Sequence, residues 1–168
     1  MTKIEVLVVL LVIGVLGLVS GVAVLGARER VRDTARLAQV RELQDGLESF
    51  FTDHSAYPEW PDATDSTPEE GALPLGQATT LCLSDEGFSC TTAPDDAYLD
   101  VVPTPPTTGL RELSSCRGVA NAYCYQSNGE TYGIQFELER ANVALGLVKG
   151  ANCASEATFS PGPCADVE

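Results

Sequence analysis

Six cysteines and one histidine are the side chains of this chain best equipped for metal or redox chemistry. Cys82, Cys90, Cys116, Cys124, Cys153 and Cys164 all follow residue 81, and no two form a Cys-x-x-Cys pair. Zinc sites draw on such close pairs, often completed by histidine. An even number of cysteines in loop-like sequence points instead to disulfides formed outside a reducing cytoplasm. His54 stands far from every cysteine, so a surface or helix-capping role is expected of it. Asp62, Asp65, Glu69 and Glu70 offer the hard oxygens that calcium favours, but their spacing matches no calcium-loop signature. The expectation is therefore no metal and no cofactor, with calcium the ion this stretch could take. The sequence holds no nucleophile elbow and no phosphate loop, so no enzyme activity is expected.

One further chemical oddity is Glu5. It stands at the edge of residues 6–27, 22 positions without a charge. As a helix that run is about 33 Å long, enough to cross a bilayer core of about 30 Å. A carboxylate at such a boundary costs about 2.5–3.5 kcal/mol on insertion scales unless it finds a partner or reaches water. The run is too long for a secretory signal peptide. A plain membrane anchor conflicts with its flanks, because Arg28, Arg30 and Arg32 follow it while Lys3 alone precedes it. That bias would leave the cysteine-rich body in the cytosol. A basic leader removed after insertion would resolve the conflict.

These residues carry a resemblance. MTKIEVLVVLLVIGVLGLV resembles the N-terminus of mature type IV pilins and pseudopilins in Thr2, Ile4, Glu5, the aliphatic run and Gly14. The resemblance implies that Met1 is the processed and N-methylated first residue, released by a prepilin peptidase. It implies that Glu5 meets the N-terminal amine of a neighbouring subunit. Met replaces the family's usual Phe, and Val22 replaces its frequent Pro; Gly14, Gly17, Gly21 and Gly26 would loosen the helix locally instead, each costing about 1 kcal/mol against Ala. The implied fold is α+β: a long N-terminal helix packed on a small antiparallel sheet, with a long disulfide-stapled loop. The implied function is the major subunit of a type IV pilus, a surface filament for adhesion, motility or DNA uptake. Its partners would be copies of itself, the cytoplasmic membrane before assembly, and the pilus assembly machinery. Calcium also occurs in this region of major pseudopilins. The alternatives are a pseudopilin of a type II secretion or competence system, and a membrane-anchored extracellular binding module that never polymerises.

Charge fits this division of the chain. Residues 1–41 carry six basic and three acidic residues; the remaining 127 carry four and 21. An acidic body repels nucleic acid over most of its surface, and nucleic acid as a partner stays open. Arg28, Arg30, Arg32, Arg36 and Arg41 are expected to form intrahelical pairs and pairs with a neighbour's acidic body.

Three segments follow. Residues 1–27 form the membrane or filament-core helix, and residues 28–54 its amphipathic continuation. There Leu37, Val40, Leu43, Leu47 and Phe50 line one face, before Pro58 and Pro61 end it. Residues 55–168 form an extracellular head: a loop over 55–117, a sheet over 118–149 and a disulfide loop over 150–168. Asn128-Gly129 joins strands predicted over 119–126 and 131–139 into a hairpin. Tyr132, Ile134, Phe136 and Leu138 share the face expected to meet Leu43, Leu47, Phe50 and Phe51. A further short strand is expected at 144–148. Trp60 and Tyr98 are read as packing anchors. Six cysteines allow 15 pairings; the sequential set Cys82–Cys90, Cys116–Cys124 and Cys153–Cys164 is preferred because each closes a short loop.

Overall fold

The structure, a computed structural model, describes residues 3–60, 71–106, 115–116, 118–120, 122–156 and 158–165; of residues 19–23 it describes the backbone alone. Asp62, Asp65, Glu69 and Glu70, the candidate calcium ligands, lie outside the described residues, as does Met1.

One helix, α1 (Lys3–His54), runs unbroken for 52 residues, about 78 Å. Its glycines do not interrupt it. It stops where the sequence removes both propensity and donors. Ser55 takes a left-handed φ of 57° and its N–H reaches the Phe51 carbonyl at 2.7 Å, closing the last turn. Pro58 then forbids continuation.

The strands are short. β1 (Leu73–Pro74), β6 (Cys124–Ser127), β7 (Tyr132–Leu138), β8 (Gly150–Ser155) and β9 (Thr158–Pro161) form a five-stranded antiparallel sheet in the order β1-β6-β7-β8-β9. Two small ribbons stand apart: β2 (Cys82–Ser84) with β3 (Gly87–Cys90), and β4 (Ser115–Cys116) with β5 (Val119–Ala120). The Asn128-Gly129 turn joins β6 to β7. Asn128 Oδ1 accepts from the N–H groups of Glu130 at 3.0 Å and Thr131 at 2.9 Å, while Gly129 holds φ +89°.

Leu37, Val40, Leu43, Leu47 and Phe50 of α1 join Tyr132, Ile134, Phe136 and Leu138 of β7 in one core. The alternate face of β7 is also covered. Gln135 is buried there, and the Cys164 sulfur lies 3.1 Å from where a side chain on Gly133 would begin. The chain after β9 thus acts as a second layer over the sheet, held by the Gln126 amide donating to the Ala165 carbonyl at 2.7 Å.

Five expectations are corrected. Residues 150–168 are not a plain disulfide loop, because β8 and β9 extend the sheet there. The sheet also reaches back into the 55–117 segment, where Leu73 pairs with Tyr125. The strand expected over 119–126 divides: β5 pairs with β4, and β6 starts only at Cys124. The strand expected at 144–148 is a 3-10 turn, Val143–Leu145, capped by the Asn142 side chain. Phe51 does not enter the core. It is exposed and tilts against Tyr57 at 4.7 Å between ring centroids.

Candidate assembly surface and the ion cluster at its base

α1 has two environments. From Leu37 to Phe50 its apolar stripe is buried, with Val40, Leu43 and Leu47 at 0% exposure. Toward the N-terminus the apolar side chains have no cover. Ile4, Leu10, Leu16 and Leu18 are 60–75% exposed, and the described residues between them are exposed on every side of the helix. A helix apolar all round is a buried helix by composition. Here it projects from its own domain.

The sequence-derived assembly residues sit on this projection. Glu5 is exposed within the first turns of α1. Ideal side-chain positions at Gly14 and Gly17 meet nothing within 4 Å, so nothing in the chain itself requires glycine there. Gly21 falls among residues 19–23. Among the described residues, no helix is long and apolar enough to cross a membrane; the uncharged run of 6–27 contains residues 19–23.

Where the projection meets the head, α1 is clamped by charge. Arg36 is fully buried and donates to Asp33 Oδ1 at 2.7 Å and Glu139 Oε1 at 2.8 Å, and to the Pro106 carbonyl. Arg32 adds a two-pronged contact to Glu139: Nε to Oε1 at 2.6 Å and the second nitrogen to Oε2 at 2.5 Å. Asp33 turns its two oxygens to the end of β7, accepting from the N–H of Glu139 at 2.9 Å and of Arg140 at 3.0 Å. The hydrogen bond from Arg32 holds the Glu139 carboxyl below its ordinary value of 4.5, overcoming the opposite effect of burial. The same bond raises the Arg32 guanidinium.

Planar guanidinium forks facing carboxylates make the strongest protein ion pairs. The group cross-links residues more than 100 positions apart, so it fixes the angle at which α1 leaves the head. This corrects part of the arginine expectation. Arg32 and Arg36 are used within the chain and are not available to a neighbour. Arg41 lies over the Phe159 ring at 5.7 Å. Arg28 and Arg30 remain exposed. The spacing of Arg32, Asp33 and Arg36 beside Leu37 was the available signal, because it puts charge on the flank of the buried face.

All six cysteines are paired, as Cys82–Cys90, Cys116–Cys124 and Cys153–Cys164. His54 closes the helix, stacking on Phe50 at 4.0 Å with Nδ1 3.1 Å from the Phe50 carbonyl. Trp60 and Tyr98 pack against the core from its margin. The Tyr98 hydroxyl donates toward Asp53 at 3.0 Å and Asp85 at 3.1 Å, tying the β2–β3 ribbon to the end of α1. Among the described residues no three potential ligands gather into a metal site.

Set against protein-family models, curated proteins and solved structures, the chain matches none.

Proposed function

We propose that this chain is a filament subunit of the type IV pilin class, the major pilin of a surface pilus. The observation that carries this reading is the exposed apolar half of α1, continuous with a helix firmly locked to a disulfide-bonded head. A helix that is apolar on all sides gains about 25 cal/mol for each Å² it removes from water. Parallel copies can supply that burial, and lipid can supply it before assembly. The head then covers the outside of the bundle, its acidic surface keeping the polymer soluble.

Glu5 sets the register in this scheme. Its carboxylate is costly in an apolar bundle unless it faces a cation, and a neighbour's amino terminus is the partner proposed. Wrong registers leave the charge unmatched. The exposed arginines Arg28 and Arg30 lie beyond the apolar run, where the helix of one subunit would pass the acidic head of another.

Full-length protein displaced from detergent should polymerise, and Glu5→Ala should reduce the pelleted filament at least tenfold while leaving the head's near-UV circular dichroism unchanged. Equal polymerisation by the variant would refute the role of Glu5. An anchored binding module would remain dispersed whichever residue stands at position 5.

A further inference from the structure

A cavity of about 490 Å³ lies where α1 ends, within the size range of small-molecule sites. Five segments build it: the last turn of α1, the chain from Ala56 to Trp60, Leu73 of β1, the β2–β3 turn running into β3, and Tyr125 of β6. Its walls are aromatic. Phe88 meets Tyr125 edge to face at 5.0 Å, Phe50 stacks on His54, and half-buried Trp60 also lines the space.

The walls are held firmly. The Tyr125 hydroxyl donates to the Pro58 carbonyl at 2.8 Å, the backbone N–H of Trp60 donates to the Ser127 carbonyl at 3.3 Å, and the Cys82–Cys90 disulfide closes the β2–β3 ribbon. Gly87, at φ +77°, lets the ribbon turn come so close that a side chain there would meet Pro58 at 3.1 Å.

The charged lining is one-sided. Glu59, Asp85 and Glu86 line the cavity, with neither lysine nor arginine beside them among the described residues. Asp85 faces Tyr98 and, at 3.8 Å, His54 Nε2; the Glu59 carboxylate lies over the Gly129 turn. Such a site rejects anions. A bare metal ion would need converging oxygens, which the described residues do not assemble. A neutral apolar ligand would make no use of three carboxylates. A bulky organic cation uses both parts, its charge seated by the carboxylates and its alkyl groups by the half-buried Trp60 ring.

We propose that this cavity binds an organic cation of the trimethylammonium type. The site belongs to the head and does not depend on filament assembly.

Trp60 is the single tryptophan of the chain, so its fluorescence reports this cavity alone. Choline titrated into the full-length protein in a non-ionic detergent should change Trp60 emission saturably at millimolar concentration. The apparent affinity should fall as salt rises. Glu86→Gln, at an exposed position, should weaken binding roughly fivefold without altering the fold.

The deciding arm is 3,3-dimethylbutanol, the uncharged isostere of choline, which should not bind. Equal response to choline and the isostere would overturn the proposal, as would no saturable response to choline. Phosphocholine matching choline would assign the group to a headgroup-like source. Much weaker phosphocholine binding would assign it to a free amine. Either result sustains the cation site.

Discussion

The two halves of α1 are built from one continuous helix yet obey different rules. Residues 37–50 repeat their apolar positions every three or four residues, and that stripe is buried, with Gln44 and Gly46 beside it. Residues 4–18, apart from Glu5, carry no charge and no stripe, and their side chains are exposed. The first pattern specifies a partner on one side, the sheet. The second selects no side, and the head leaves it exposed. Between them the Arg32–Asp33–Arg36–Glu139 cluster marks the border between the buried stripe and the exposed run.

The contrast is broken most severely at that border. Arg36→Ala removes the buried cation that bridges Asp33 and Glu139, leaving Glu139 to Arg32. It should destabilise the head by roughly 3–5 kcal/mol in denaturant titration. Leu11→Ala, on the projecting half, should leave the same titration within about 0.5 kcal/mol of the parent, because the Leu11 side chain is 61% exposed. Its effect should appear in filament yield instead.

One substitution made twice sharpens the comparison. At Gly46 a new methyl would sit 2.5 Å from Leu99 Cγ, so Gly46→Ala should cost about 1–3 kcal/mol by overpacking. At Gly14 or Gly17 the same change meets open space and should strengthen helix propensity by about 1 kcal/mol, with the head's unfolding midpoint unmoved. Loss of filament from Gly14→Ala alone would reveal close helix approach at that position in the polymer.

The smallest expected effect is electrostatic. Glu139 is held below its ordinary value of 4.5 in the folded head. Its contribution is therefore fully present above that value and is lost as pH falls below it. Head stability, measured by urea midpoint, should decline from about pH 4.5 downward. In Glu139→Gln the part of the decline due to this residue should vanish.

Much of this division is legible in the sequence. The spacing of Leu37, Val40, Leu43, Leu47 and Phe50 names the buried face, and Pro58 with its neighbours places the helix end near His54. Asn128-Gly129 between alternating apolar runs marks the hairpin, because few other dipeptides suit the turn.

The missed strands have physical reasons. β8 and β9, GANCAS and TFSP, contain few large apolar residues. They are held by pairing with β7 and by Asn152, whose buried amide donates to the carbonyls of Val148 and Gly150. β1 includes a proline, tolerated because it sits at the sheet edge. The buried role of Arg36 was hidden because its partner Glu139 lies 103 residues away; only Asp33, at i−3, was visible locally. The cation cavity likewise draws on five segments, which no local pattern brings together.

The central claim is that residues 4–25 are covered by copies of the same helix while the head keeps its own fold. Electron cryo-microscopy of full-length protein after detergent removal tests it directly. Filaments with the apolar helices packed along the axis, Glu5 facing a neighbour's amino terminus and intact heads outside are the expected result. A dispersed monomer, or a polymer joined through the heads with these helices still bare, would contradict it.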